Sequence, residues 1–415
     1  MGSTSALILA GGRGKRMDLL CNVRPKPALS FAGRYRVIDF TLSNCVHSEI
    51  SEIVMLTDYQ RHQMSNYLRE WNDLNGAKKQ VAALEPSNGS YKGTADAVYQ
   101  NLAFLKSINP STILILAGDH VYKMDYRKML AFHEERNADV TVGVASVPAE
   151  EVHRFGTINA DKNDRITKFV EKTRTSPSTT ASMGIYAFKP EVLYKRLEED
   201  AANPGSKHDF GYDILPGMVN RDRVFAFSFE GYWEDIGTIE AYYKANMEIL
   251  SGSPAFTLEH NWGIFTPLRN NTAPKKFQGG SIRNSIISPG CLIKGHVENS
   301  ILSPGVWVDD EAVVKDSILM SDVFVGHHSM VDRCILDEGV NVGKFCYVGY
   351  GTSLVTDAWD VTVLGKGVSV PSHTAINRHC KLLPHVGPRD FDSSLIRSGS
   401  VVSSRSALER VKEKH

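Results

Sequence analysis

The sequence predicts an α/β protein in two parts, an N-terminal Rossmann-like, mostly parallel sheet followed by a parallel β-helix. Three observations predict it. Up to about residue 250, short apolar runs alternate with helical patterns, the alternation that builds a mostly parallel sheet covered on both faces. From about residue 280 the helical period disappears and apolar residues recur at every sixth position. The first apolar run ends in a loop of glycines and cations, at the strand end where such sheets hold ligands.

In chain order, "LILAGGRGKRM" (7–17) opens the sheet as a buried strand feeding a turn. "EIVMLT" (52–57), "ILILAGD" (113–119) and "VTVGVASV" (140–147) read as further buried strands. Met64, Leu68 and Trp71 mark one helix face at i, i+4 and i+7, as do Val98, Leu102 and Leu105. Residues 1–250 form the first domain on this reading. Residues 251–279, with "SGSP", "NNTAP" and "QGG", form a linker. The repeat occupies 280–387, and 388–415 is a polar tail, partly disordered by composition.

The six-residue period is explicit in Leu319, Val325, Val331; in Leu336, Val342, Val348, Leu354; and in Leu364, Val370, Ile376, Leu382. Each coil of a parallel β-helix stacks one apolar residue per face on the coil below. Gly290, Gly295, Gly305, Gly326, Gly339 and Gly343 punctuate the runs.

Composition limits the chemistry. In 415 residues there are 47 basic and 47 acidic side chains, so no overall electrostatic case exists for nucleic acid or an anionic membrane. No apolar run approaches the roughly 18 residues of a membrane span. The start lacks a charged region and cleavage site, and Ala6 stands where a myristoylation signal has Ser or Thr. The six cysteines (21, 45, 291, 334, 346, 380) form no C-x-x-C pair, which favours free thiols in a reducing, cytoplasmic setting.

What does the first loop hold? Gly11, Gly12 and Gly14 let the backbone approach a ligand closely, and Arg13, Lys15 and Arg16 call for an anion, a phosphate first of all. It is not a P-loop, having no Ser or Thr at the required place. It is not a dinucleotide fingerprint either, because Met17 occupies the third glycine position. Other stretches add to it. "GTADAV" (93–98) opens a helix with Thr94 as its expected cap, and "LAGDHVY" (116–122) puts Asp119 just past a strand. "FVEKT" (169–173) offers a Glu-Lys pair, and "YWEDIGT" (232–238) a second acidic position at Asp235. A cationic glycine loop, two carboxylates and a lysine fit metal-assisted phosphoryl chemistry. Mg²⁺, which prefers one or two carboxylates plus phosphate oxygens, is the expected cofactor, on Asp119 and Asp235.

"LAGGRGKRM", "KPAL", "YRVIDFTLSNC", "YKGTADAVYQN", "LAGDHVYKMDY", "FVEKT", "SMGIYAF", "HDFGYDILP" and "YWEDIGTIEAY", in that order, resemble the glucose-1-phosphate adenylyltransferase family of sugar nucleotidyltransferases. The resemblance covers nearly the whole chain and implies that the β-helix is left-handed. It implies the reaction ATP plus α-D-glucose 1-phosphate giving ADP-glucose and pyrophosphate, on the way to glycogen- or starch-type glucan. Carried over by motif, the nucleotide would lie against Leu9, Ala10, Gly11, Gly12, Gly14, Gly93, Asp96 and Gly118, with Arg16 and Lys26 near its phosphates. Asp119 and Asp235 would ligate the metal. Glu171 and Lys172 would bind the sugar phosphate, Lys172 on its phosphate, with Gly156, Ser182, Tyr186, Asp209, Phe210 and Trp233 shaping the glucose site.

The resemblance also implies a homotetramer and small anionic effectors, for which Arg24, Arg34, Arg36 and Lys92 are the candidate cations. Val23 stands where enterobacterial relatives carry an activator-binding lysine, which argues against fructose 1,6-bisphosphate activation of that type. Thr173 follows Lys172 where many members have proline, and Lys92 stands where arginine is common. Alternatives are a sister uridylyl-, thymidylyl- or guanylyltransferase and a non-catalytic regulatory subunit. Acyl transfer on the repeat, with His327, His328, His373 or His379 as base, would leave the first 250 residues unexplained.

Overall fold

The computed structural model describes residues 3–74, 80–87, 89–173, 178–252, 262–267, 272–351 and 360–405. Contacts divide the chain into two compact units. The first comprises Met1–Gly12, Val37–Asp235 and Glu259–Phe265, and the second Arg13–Arg36, Ile236–Leu258 and Thr266–His415. The division by contact therefore differs from the division by motif at 250, because Arg13–Arg36 and Ile236–Leu258 group with the repeat.

The first unit is built on a nine-stranded sheet. Its strands are β1 (Thr4–Leu9), β2 (Glu52–Leu56), β3 (Val81–Leu84), β4 (Thr112–Ala117) and β5 (Val140–Ser146). They continue as β6 (Gly156–Ala160), β7 (Ile166–Glu171), β8 (Thr180–Phe188) and β9 (Val224–Ser228). The order is β7-β6-β8-β4-β1-β2-β3, with β5 joining β8 to β9. Strands β1–β6 and β9 share one direction, while β7 and β8 oppose it. The expected mostly parallel sheet is thus present in mixed form. Four consecutive residues of β1 and four of β4 are buried, the pattern of strands covered on both faces.

Helix Arg61–Leu74 buries Met64, Leu68 and Trp71 as expected, and Tyr67 with them. The helix expected through Val98, Leu102 and Leu105 is instead two, Thr94–Tyr99 and Leu102–Ile108. Asn101 breaks it: its side-chain amide donates to the Ala97 carbonyl at 2.8 Å, the acceptor a continuous helix would use for its own backbone. All three apolar residues stay buried.

In the second unit the strands form three parallel stacks of six, seven and seven members, the β-helix that hexapeptide repeats build. Register runs Ile293–Val308–Val325–Val342–Val370 in one stack and Val297–Val314–Val331–Val348–Ile376–Ile396 in the next. The third is Leu302–Leu319–Leu336–Leu364–Leu382–Val402. These rows contain the predicted hexads, except Leu354, which lies outside the described residues. The stacks run past both expected edges: Lys275–Lys276 pairs with Leu292–Ile293, and Leu395–Ile396 and Val401–Val402 add strands from the expected tail. Residues 388–405, expected to be partly disordered, thus supply two further strands of the stacks.

On the third stack the outward residues Ile301, Ile318 and Ile335 are also buried. Here Tyr243, from helix Ile239–Leu250, donates its hydroxyl to the Asp316 carbonyl at 2.6 Å. Gly33 lies so close to Ser288 that a Cβ would come within 2.7 Å of its hydroxyl.

The segment Arg13–Arg36 is tied to the coils by a buried ion pair. Arg24, 2% exposed, meets Asp337, 0% exposed, through both guanidinium arms at 2.9 and 2.8 Å, and reaches Glu338 at 3.3 Å. Burial pushes the Asp337 carboxyl above the usual range even beside Arg24. Glu338 is held down to about 2 against its own burial, because Arg24 and Lys366 face it. Such a pair is costly to break from one side only. Arg24→Met should therefore lose about 3–5 kcal/mol in urea unfolding, with Arg24→Met/Asp337→Leu recovering most of it. A loss below about 1 kcal/mol would class the pair with surface bridges.

Candidate active site

Strand β4 ends at Ala117, and the chain turns through Gly118, Asp119 and His120 into Val121–Tyr122. That dipeptide pairs antiparallel with Trp233–Glu234, Trp233 opposite Tyr122 and Glu234 opposite Val121. The next residues on each arm, His120 and Asp235, are thereby brought together. Ligand atoms of Asp119, His120 and Asp235 all lie within 4.8 Å of one another. His120 Nε2 is 3.6 Å from Asp119 Oδ1 and 3.8 Å from Asp235 Oδ1. Asp235 is 7% exposed, and Arg154 donates to its backbone carbonyl at 2.6 Å. Two carboxylates converging at a strand's C-terminal end supply the hard oxygen donors that a divalent cation takes, with room for phosphate oxygens beside the more exposed Asp119.

A second cluster closes on the end of β7. Glu171 and Lys172 pair at 3.0 Å, and Lys172 holds φ 44°, a left-handed conformation that a long side chain adopts only when its surroundings impose it. Its amide donates to the Phe155 carbonyl at 3.0 Å, which fixes the turn. Burial lowers the Lys172 ammonium, but Glu171 more than offsets this and leaves it above its ordinary value. The Glu171 carboxylate occupies space that two missing side chains leave: a Cβ on Gly156 or on Gly211 would stand 2.5 Å from Oε2.

Asp209 is committed to its own loop. One oxygen accepts from Gly211 and Tyr212 amides at 2.9 and 3.1 Å, the other from the Thr94 hydroxyl at 2.9 Å. Phe210 is 2% exposed and packs on Tyr186 and Phe188 at 5.7 and 5.8 Å between ring centres. Ser182 and Tyr186 hydroxyls meet at 3.4 Å across an irregularity in β8, and burial pushes the Tyr186 phenol well up. Trp233 lies 5.2 Å from Phe155 and 5.4 Å from His120, ring centre to ring centre.

Of the residues expected near the nucleotide, Leu9 and Ala10 end β1, with Ala10 N bonded to Leu56 O and Gly118 N to Leu9 O at 3.0 and 3.1 Å. Gly12 has open space where a Cβ would be, whereas Gly11 faces Asp58 at 3.1 Å. Gly93 caps the helix in place of Thr94, because the His208 carbonyl, bonded to Ala95 N at 2.8 Å, would stand 2.3 Å from any Cβ there. Asp96 accepts from Lys92 N and Gln100, both at 2.8 Å.

Gly14, Arg16 and Lys26 fall in the second unit, where Lys26 is buried and Arg16 lines a cavity of about 380 Å³ with Lys15, His379 and Lys381. His328 and His373 stack on either side of Phe345 at 5.4 and 5.1 Å, with His327 against the same ring, so these histidines make a surface ring stack. His120, Gly211, Arg154 and the Thr94 hydroxyl stand in these clusters without having been named for them from the sequence. His120 was flagged by its place beside Asp119, Thr94 was read only as a helix cap, and Gly211 lies within "HDFGYDILP".

Residues 5–252 match the nucleotidyl transferase family, and residues 271–381 match the family described as GlmU-like, C-terminal hexapeptide. The match over residues 5–252 makes the chain a nucleotidyltransferase. The chain is similar to the glucose-1-phosphate adenylyltransferase of Acetivibrio thermocellus, 40% identical over 415 residues, covering 96% of this chain and 97% of that one. The same-named protein of Fervidobacterium nodosum is 38% identical with 99% of each chain covered, and that of Nitrosococcus oceani 42% with 83% and 88%. The chain belongs to the glucose-1-phosphate adenylyltransferase family.

The cradle around Glu171 makes a sharp expectation. Gly211→Ala should displace the carboxylate and raise KM for the sugar phosphate at least tenfold, with thermal unfolding little changed. An unaltered KM would separate Glu171 from the substrate.

Proposed function

We propose that this chain transfers the adenylyl group of ATP to α-D-glucose 1-phosphate, giving ADP-glucose and pyrophosphate for glycogen- or starch-type glucan synthesis. The observation that carries the reading is the meeting of Asp119 and Asp235 at one strand end, in the same unit as the Glu171–Lys172 pair. The substrate identities rest on the family.

The step is a displacement in which an oxygen of glucose 1-phosphate attacks the α-phosphorus of ATP and pyrophosphate leaves in line. That oxygen is already anionic, so no side chain need remove a proton. Two anions repel each other, and the protein's task is to neutralise and align them. Lys172 takes the sugar phosphate, and its strained backbone holds the ammonium out from β7. Glu171 keeps that ammonium protonated and directed. Gly12 leaves the backbone open to the nucleotide, and the family resemblance gives Arg16 and Lys26 to its phosphates. Tyr186 and Trp233 give the sugar an apolar wall, with Ser182 behind it and Phe210 backing Tyr186 from the core; Asp209 acts through the loop it clamps. Asp119 and Asp235 would hold Mg²⁺, which when bound would neutralise phosphate charge at the reacting centre.

We place catalysis in residues 1–250 and assembly and control in the repeat. A partly exposed outer row on the second stack, with Met330, Tyr347 and Leu395 exposed and Val313 and Ala375 half-buried, favours association into a homotetramer. Small anionic effectors remain part of the reading, with Arg34, Arg36 and Lys92 as their cations. All six cysteines are buried thiols outside any disulfide, which favours a cytoplasmic setting, and among the described residues no helix is long and apolar enough to cross a membrane.

Pyrophosphate release should be fastest with ATP and glucose 1-phosphate when the nucleoside triphosphates and a panel of sugar 1-phosphates are compared side by side. A preference for UTP, dTTP or GTP would move the chain to a sister activity, and no turnover with any would favour a regulatory subunit.

Two variants separate the roles. Asp235→Asn should cut kcat by orders of magnitude at saturating Mg²⁺. Lys172→Ala should instead raise KM for glucose 1-phosphate far more than KM for ATP. Its side chain is 46% exposed, so the low end of a charged contact applies, about 1.5 kcal/mol or about tenfold. Equal effects on both substrates would assign Lys172 to architecture.

A further inference from the structure

We infer that His120 turns an N–H and not a lone pair toward Asp119 and Asp235, that it is therefore a positioning residue and not a third ligand to the cation, and that Trp233 fixes it in that role. This rests on reading the two carboxylates as the cation's holders. Distance alone suggests the opposite, since all three side chains bring ligand atoms within 4.8 Å of one another. The hydrogen bond on the far side of the ring decides between the two.

Trp233 Nε1 donates to His120 Nδ1 at 3.3 Å. An indole nitrogen can only donate, so the imidazole nitrogen facing it must accept and carries no proton. A neutral imidazole then has its single proton on Nε2. That is the nitrogen directed at Asp119 Oδ1 and Asp235 Oδ1, 3.6 and 3.8 Å away. A protonated Nε2 has no lone pair to offer a cation, but it has an N–H to offer carboxylates.

A histidine that ligates a metal is arranged the other way round. Its bare nitrogen faces the metal, and its N–H donates outward to a carbonyl, carboxylate or water. Here the outward partner is a donor. The edge-on packing of the rings, 84° between planes, aims the indole edge at the imidazole. Swapping the tautomer would set N–H against N–H. His120 is too far from either carboxylate for a full hydrogen bond, yet near enough to bias both.

The arrangement gives Trp233 a second task beside lining the sugar site. Its N–H reaches the carboxylates through one imidazole, so a sugar that shifts the indole also shifts the group aligning Asp119 and Asp235. His120 is thus a positioning residue through which occupancy of the sugar site reaches the cation site.

The test is where the proton sits. Neutron diffraction from perdeuterated crystals of the full chain, with an anomalous X-ray data set after Mn²⁺ soaking, reads both proton and metal. Expected are deuterium on Nε2, none on Nδ1, and Mn²⁺ bound by Asp119 and Asp235 but beyond bonding distance of Nε2. Deuterium on Nδ1, or Mn²⁺ within about 2.3 Å of Nε2, would overturn the inference. Mn²⁺ bound away from both carboxylates would overturn the metal reading, while the deuterium position still decides for His120. In solution, His120→Gln keeps a donor and should retain at least tenfold more turnover than His120→Ala, with KM for the sugar phosphate similar in the two. Equal turnover would count against a donor role.

Discussion

In the first unit, the meeting of the two carboxylates depends on two short antiparallel arms, Val121–Tyr122 and Trp233–Glu234. They add little to the core, but they join chain segments more than a hundred residues apart. Their register decides what faces what. Because Trp233 pairs with Tyr122 and Glu234 with Val121, Asp235 falls beside His120 and within reach of Asp119. A slip of one residue would bring Glu234 to that place and turn Asp235 to the other side. The register is secured from outside by Arg154, which holds the Asp235 carbonyl, and by the Trp233–His120 bond across the arms.

The neighbouring cluster is held by what is missing. Gly156 and Gly211 leave room for one carboxylate, and that carboxylate directs Lys172. The loop bearing Gly211 is in turn fixed to the helix at Thr94–Tyr99: the His208 carbonyl accepts from Ala95, and the Thr94 hydroxyl joins Asp209 to Phe210 N. The helix whose motif the resemblance gives to the nucleotide and the loop it gives to the sugar therefore share one hydrogen-bond network. Rigid elements placed in this way bring aligned groups to the reaction at no further ordering cost.

Periodicity and strand ends were legible in the sequence because each is written locally. Every described hexad residue stands in one of the three inner rows, since a coil repeats the same three faces whatever lies elsewhere. Asp119 was legible as the residue just beyond an apolar strand. The break at Asn101 was not, because it follows from one side chain taking a carbonyl, a choice that an apolar pattern does not record. Thr94 looked like a cap by residue type, but the backbone approach of His208 demands glycine one position earlier. Asp209 and Phe210 entered through the family resemblance, which says nothing of how they are held. Their carboxylate and ring turn inward to loop and core, which only the packing reveals.

Burial also settles which cations can meet a ligand. A charge moved out of water must keep a partner, and once paired it resists exchange for a new one. Arg24, named from the sequence among the cations for an effector, has its guanidinium spread across Asp337 with Glu338 behind, in a 2% exposed position. An incoming anion would have to displace both carboxylates and leave them buried without a countercharge. Arg24 is therefore withdrawn from the effector set and given to the fastening of Arg13–Arg36 onto the coils. Lys92 is exposed, and it is its backbone amide that is bonded to Asp96, so its ammonium can meet an anion at far smaller cost. The same residue type, cationic and near a predicted site, thus serves fastening or recognition according to the dielectric in which the fold leaves it.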